Sequence, residues 1–590
     1  MYKKYLSLVV IIMAMLIGCK KEGQQDMQPE DKNDEGFIRY EATFLDNLWQ
    51  INPEWAAKLG NHTNDSVLLV PSEQRKKMLN LAKLNLDSLS RYPENELSDA
   101  SRMDYYLIQN YLRSSQWTNQ QLKAWEWDPT TYNITSAFAI MLNEPSEILI
   151  KRLKTFNQKL EDVPAYFKDA QKQVKNPVPE LTDLAIDQLT AGLDVIEKSF
   201  IDSVHNSSIP DVEEKVMATR AKLGADAIRG FVAFLKTTKG GKGRSFRLGK
   251  ELYEDKFKNE IQSSFTAQQV YNAAMERKKV VHRSMIKLAK ELWPKHMAGK
   301  SMPSDSLQLV ADVIEALSEK HAAPEEFQSA ITAQLPKLSA FVQSKDFLTP
   351  DPSKSLTVRK QPAYLPAIPG AYVAQLGPYA KHGNVYYYVS SPAKLDKDQA
   401  ESFMREYNDY TLQLLNMHEA IPGRFTQNVF ANNSSGLIKA VFANSAMIEG
   451  WASYAEEVML DAGYGENAPE LRLMWYKWHL RSVTNALLDY GVHTTGMTKD
   501  AAMKLLTKEA FQQQTEAENK WTQVTLNSVY LTSQFTGYKE IKELRDAYKK
   551  KMADKYRLKD FHDKLLSYGN APVKYIKEAM LAKEKQEATK

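Results

Sequence analysis

Apolar residues along this chain recur every three or four positions for long stretches, the spacing of one face of an α-helix. Leu45, Leu48 and Trp49 keep that spacing near the start, and Leu81, Leu84, Leu86 and Leu89 make a second such segment. Segments 183–204, 212–235, 267–292 and 307–317 continue it. The pattern breaks between 356 and 392. There Pro362, Pro366, Pro369 and Pro378 forbid a long helix, while Val385, Tyr386, Tyr387, Tyr388 and Val389 favour a strand. Helical spacing then returns, with Phe403, Tyr407, Tyr410, Leu414 and Met417 on one face that carries His418 inward. Ile448, Trp451, Ala452, Ala455 and Met459 form a later apolar stripe with Glu449 at its margin. No tetratricopeptide period is present, which excludes that solenoid. The pattern predicts a mainly α fold, a large helical body with a small β element beside a cleft.

Composition narrows the class. Over 590 residues, 43% are hydrophobic and 25% charged, as in a globular protein and not a disordered one. The formal net charge is +4 with no dominant basic block, so nucleic acid is not an expected partner. The Lys239-Gly240-Gly241-Lys242-Gly243 stretch lacks the Lys-Ser/Thr ending of a phosphate loop and a preceding apolar strand, and reads as an exposed turn.

The lone cysteine, Cys19, has an informative context. A basic start and a short apolar run precede Leu16-Ile17-Gly18-Cys19. The run is too short to span a membrane but suits a signal segment. It resembles a bacterial lipoprotein signal, which implies cleavage before Cys19 and lipidation of its thiol. Lys20 after the cysteine resembles outer-membrane sorting in a Gram-negative cell envelope. The expected organisation is therefore 1–19 as signal and lipid-bearing cysteine, 20–36 as flexible tether, 37–355 as an N-terminal helical part and 356–590 as the part bearing the site. The last two are able to form one continuous domain.

The chemistry concentrates between His418 and Trp451. His418-Glu419-Ala420-Ile421-Pro422-Gly423 closes a helical pattern, and Glu449-Gly450-Trp451 opens the next. Adjacent helical residues diverge by about 100°, so His418 and Glu419 can flank one point. A histidine, a neighbouring glutamate and a glutamate one helix later are how a metal ligand, a general base and a second ligand are usually supplied. Arg424 stands where a further histidine ligand would be wanted, and a guanidinium has no lone pair to give. Asp489 and His493 are four apart, so the carboxylate can orient the imidazole. Tyr538 is a candidate hydrogen-bond donor to an oxyanion.

These segments together carry a resemblance. His-Glu-Ala-Ile-Pro-Gly-x-Phe-Thr-Gln from His418, Met-Ile-Glu-Gly-Trp-Ala-Ser-Tyr-Ala-Glu around Glu449, Leu-Asp-Tyr-Gly-Val-His ending at His493 and Gln-Phe-Thr-Gly-Tyr ending at Tyr538 resemble the domain-of-unknown-function 885 family. Asn52-Pro53-Glu54-Trp55-Ala56 and Arg247-Leu248-Gly249-Lys250-Glu251-Leu252-Tyr253 extend the likeness. The resemblance implies a gluzincin-like zinc metallopeptidase body, His418 and Glu449 as zinc ligands, Glu419 as general base and a ligand histidine where Arg424 stands. His493 and Tyr538 persist as family motifs. Two readings follow. In one, the chain hydrolyses peptides by metal-activated water. In the other, it binds a peptide or another ligand without turnover, with Arg424 paired to Glu419 or Glu449 and zinc weak or absent. A third, a helical glycan-binding lipoprotein, has no motif behind it.

Overall fold

The computed structural model describes residues 29–582 apart from 145, 240–242, 353, 363, 366–369, 375–376, 381–383 and 435, with side chains from 34 onward. Cys19 and residues 240–242 of the glycine-rich turn lie outside the described residues. The described chain opens in the helix Pro29–Ile51, which begins inside the segment expected as a tether. It is held to the body where Asp34 accepts the Ser98 backbone N–H at 3.1 Å and where Phe37, Phe44, Leu48 and Trp49 pack into a buried core.

The protein is mainly helical, as the periodicity predicts. The expected helices at 212–235, 267–292 and 307–317 are Asp211–Thr238, Ala267–His296 and Ser306–Ser318. The second begins with a full capping box between Thr266 and Gln269. The largest core joins Tyr253, Phe257, Leu338 and Val342 to Trp451, Tyr454, Trp475 and Leu565. Residues before and after the proline-rich break therefore share one hydrophobic interior. A second core gathers Phe138, Phe156, Phe167, Phe200 and Phe231 in the N-terminal part.

Three strands make the β element: β1 (Leu356–Lys360), β2 (Ala371–Ala374) and β3 (Val385–Val389). Their order is β1-β3-β2, with β1 parallel and β2 antiparallel to β3. Leu356 pairs with Val385, and Val373 with Tyr387. The strand predicted at Val385–Val389 is found at those residues, paired on both sides. Its run of β-branched and aromatic residues is largely buried on both faces, so it takes the centre, and β1 and the shorter β2 become the edges. Buried Tyr387 then donates to Asn416 at 2.9 Å, tying the sheet to the helix that bears His418.

Six helices build the surroundings of that histidine: α1 (Asp409–Glu419), α2 (Arg424–Asn433), α3 (Ser445–Asp461), α4 (Pro469–Thr494), α5 (Gln514–Leu526) and α6 (Ser533–Met552). Asn408 caps α1 through the Tyr410 and Thr411 N–H groups, and Asn444 caps α3 through Met447. Glu449 therefore sits one turn inside its helix instead of opening it. The glycines of the Glu-Gly-Trp and Thr-Gly-Tyr motifs explain how α3 and α6 meet. A Cβ on Gly450 would fall 2.3 Å from the Gly537 backbone, so only two glycines allow this crossing.

Candidate functional site

The turn between α1 and α2 sets the site. A Cβ on Gly423 would lie 1.9 Å from the His418 carbonyl oxygen, so a glycine is required for the chain to double back there. Trp451 on α3 donates its indole N–H to the Pro422 carbonyl at 2.9 Å and pins the turn. His418 and Glu419 leave the end of α1, Arg424 begins α2, and Glu449 comes from α3.

Their side chains converge. Arg424 donates to Glu419 Oε1 at 3.1 Å and also hydrogen-bonds to Glu449. Glu419 Oε2 accepts the Val373 N–H of β2 at 3.0 Å, on the side of the strand away from β3. His418 Nδ1 lies 2.6 Å from Glu456 Oε1, and its Nε2 lies 3.5 Å from Glu449 Oε2. Trp478 on α4 donates to the same Glu456 oxygen at 3.0 Å. Burial alone would lower the imidazole, but the bonds to Glu449 and Glu456 outweigh it and push His418 up to about 10. Burial would raise Glu449, but Arg424 and His418 hold it down to about 2.

The cluster borders a cavity of about 1010 Å³. All four residues of β2 line one wall, Trp478 and Arg481 of α4 another, and Glu516, Asn519, Lys520 and Gln523 of α5 a third. Tyr530 stands at the mouth, 45% exposed. Arg481 is itself held by Glu406 at 2.7 Å and Glu516 at 2.6 Å.

Among the residues singled out from the sequence, His418, Glu419, Arg424 and Glu449 are brought together in this wall. His493 and Tyr538 are not. The imidazole of His493 meets the carbonyls of Val524 and Asn527 at 2.8 and 3.2 Å, and burial lowers it to about 4. The expected Asp489–His493 pairing is not made. Asp489 instead accepts the backbone N–H groups of Val529 and Leu531, each at 2.9 Å. Both residues share a face of α4, but the unpaired backbone of 524–531 offers each a closer partner than the other. Together they fasten the segment that carries Tyr530. Arg247 and Gly249 serve the same corner, bonding to the Met497 and His493 carbonyls at 2.8 and 2.9 Å. Tyr538 donates to Glu457 at 2.9 Å and accepts from Arg277 at 3.2 Å, away from the cavity lining.

The donor set does not fit a zinc ion. Two ligands of one tetrahedral zinc lie about 3.4 Å apart, so His418 Nε2 and Glu449 Oε2 have a suitable separation. The third position is filled by the Arg424 guanidinium, which cannot ligate and already neutralises the Glu449 and Glu419 carboxylates.

Sequence reasoning missed Glu456, Arg481, Lys520 and Tyr530. Glu456 lies two turns beyond Glu449 on α3, and Trp478, Arg481 and Asn485 repeat at helical spacing on α4. Glu516, Asn519, Lys520 and Gln523 do so on α5. Such polar stripes are a usable signal, but they match those of a solvated helix face until the opposite wall is known.

The chain matches the family described as bacterial proteins of unknown function (DUF885) over residues 53–580, and it belongs to that family. A candidate lipoprotein of unknown function from Shewanella oneidensis has a solved structure of the same fold. It is 41% identical, with a TM-score of 0.86 over 92% of this chain and 100% of its own. A candidate lipoprotein from Colwellia psychrerythraea shares the fold at 15% identity, with a TM-score of 0.73 over 94% of this chain and 98% of its own. No curated protein matches the chain.

Proposed function

We propose that this member of the family binds an extended peptide-like ligand in the cavity and does not hydrolyse it through zinc. The observation that carries the reading is Arg424 joined to both Glu419 and Glu449. A fixed cation there satisfies two carboxylates that a metal would otherwise neutralise, and it repels an incoming ion. β2 supplies the seat. Among the described residues no strand pairs with its outer edge, which runs along the cavity wall; Glu419 holds the Val373 N–H there, so an extended ligand would pair with the remaining main-chain groups or displace that carboxylate. The second reading, a zinc peptidase with unusual ligation, is favoured by the 3.5 Å approach of His418 to Glu449.

Zinc stoichiometry and peptide hydrolysis in wild type and Arg424→His separate the two. The wild type is expected to bind zinc weakly and to show no zinc-dependent turnover. Arg424→His is expected to raise zinc affinity by at least about 10-fold, since a direct ligand should count for no less than the outer-shell partners whose loss costs about 10–100-fold. Stoichiometric zinc in the wild type, with turnover lost in Glu419→Gln, would overturn the binding reading.

The same proposal places the body in the cell envelope, anchored by lipid on Cys19 and sorted to the outer membrane by Lys20. Two relatives are candidate lipoproteins, and among the described residues no helix is long and apolar enough to cross a membrane. Cys19→Ala is expected to move the protein from the membrane fraction to the soluble one. Unchanged retention on membranes would reject the anchor.

A further inference from the structure

Among the described residues the ionic groups of the cavity wall are paired with one exception. Arg424 is held by Glu419 and Glu449, Arg481 by Glu406 and Glu516, and His418 by Glu456 and Glu449. Each carboxylate on the lining, Glu419, Glu449 and Glu516, is thereby already engaged. Lys520 is different. Its ammonium donates to the neutral Gln523 amide at 3.1 Å, and among the described residues no carboxylate lies in ion-pair contact with it. Its charged neighbours are Glu516, Arg481 and Glu449, all committed elsewhere.

We propose that Lys520 is an anion subsite of the cavity and receives a carboxylate of the bound ligand. The inference rests on the peptide-like ligand of the preceding reading and names the group that such a ligand presents. A half-buried ammonium with no carboxylate in contact is costly: burial pulls its proton affinity down, and the more distant Glu516 and Glu449 offset that only in part. An arriving carboxylate removes that cost and gains a charge-assisted hydrogen bond. Asn519 and Gln523 flank Lys520 on the same face of α5 as neutral hydrogen-bonding groups, and the nearby carboxylates Glu516 and Glu449 are neutralised by Arg481 and Arg424.

A second cavity of about 470 Å³ extends from this corner, sharing Tyr407, Glu516 and Asn519 with the first. Its walls include Pro362, Leu365, Leu395 and Phe403. An anion seat beside an apolar arm suits a peptide with a carboxylate at one point and hydrophobic side chains next to it. A peptide carries that carboxylate either at its C-terminus or on an Asp or Glu side chain, and the chemistry at Lys520 is the same.

The test uses the mature protein and random tetrapeptide pools made as free acids and as C-terminal amides. Peptides retained on ultrafiltration are identified by mass spectrometry, with wild type, Lys520→Met and Lys520→Arg in parallel. The wild type is expected to retain carboxylate-bearing peptides at least tenfold over peptides with none. Lys520→Met loses that preference and Lys520→Arg keeps it, which a merely structural role for the lysine would not produce. Preference for free acids lacking Asp and Glu assigns the C-terminal carboxylate. Preference for amides containing Asp or Glu assigns the side chain. Equal retention of peptides with and without a carboxylate overturns the anion subsite while the peptide reading stands, as does a preference that survives in Lys520→Met. Retention of no peptide in any form overturns both.

Discussion

His418 and His493 occupy equivalent places on two helices and have opposite chemistry. Each is the penultimate residue of its helix, on α1 and α4, and each is buried, 5% and 3% exposed. Burial alone disfavours the imidazolium at both. Around His418 the neighbours are the carboxylates of Glu449 and Glu456, and the ring is pushed up to about 10. Around His493 they are carbonyl oxygens of 524–527, with Lys256 and Arg247 as the nearby charges, and the ring is lowered to about 4. The difference teaches that position in a helix and burial do not assign a histidine its role. The charge of what the next elements bring against it does. One corner of α4 is a fastening for backbone, and the end of α1 is part of a charge network lining a cavity.

The largest expected effect is on stability as pH changes, because the two histidines pull in opposite directions. His418 has a folded value near 10 against an ordinary 6.5, so its contribution is complete below 6.5 and is lost as pH rises through 10. His493 has a folded value near 4, so the unfolded chain binds more protons between 4 and 6.5. Its contribution is complete above 6.5 and is lost as pH falls through 4. Urea unfolding at pH 4.5, 6.5 and 9.5 should therefore show wild-type stability falling on both sides of the middle value. His418→Gln should make the alkaline limb, which Glu41 shares, less steep and leave the acid limb as it is, and His493→Gln should make the acid limb, which His479 and His562 share, less steep and leave the alkaline limb as it is. A variant that flattens both limbs, or neither, would break the comparison.

A smaller effect sharpens it. Glu456 is 1% exposed and holds both His418 and the Trp478 indole. Glu456→Gln keeps the shape but removes the charge that stabilises the imidazolium. It is expected to cost about 3 kcal/mol, the scale for breaking a buried ion pair. The His418 titration seen by NMR should move down while that of His493 stays in place. An unmoved His418 would show that Glu449 alone sustains its proton.

Much of this was legible in the sequence where the determinants are local. Periodicity located the long helices, and the β-branched and aromatic run located β3. The helix–turn spacing was enough to bring His418, Glu419, Arg424 and Glu449 to one point, because α1 and α2 are separated by one tight turn and α3 packs against both. The edge of the sheet was not legible. Which strand lies centrally depends on how two further segments pair, and β2 lies within a proline-rich stretch that reads as irregular. Nor was the use of the Asp489 and His493 motif, since their partners are backbone groups of a segment 31 to 42 residues away that carries no side-chain signature.

The sequence by itself determined the helical body, the position of the central strand, the presence of a histidine, two glutamates and an arginine at one turn, and the absence of a lone pair at Arg424. Those follow from spacing and from the chemistry of individual side chains. Only the tertiary structure decided which charges cancel. Arg481 meets Glu406 from a preceding helix, Glu456 reaches His418 across from α3, and Lys520 on α5 faces the cavity with no carboxylate in contact among the described residues. Charge pairing between elements distant in sequence depends on a few ångströms of packing, and nothing in the order of residues along one helix records how close the next will come.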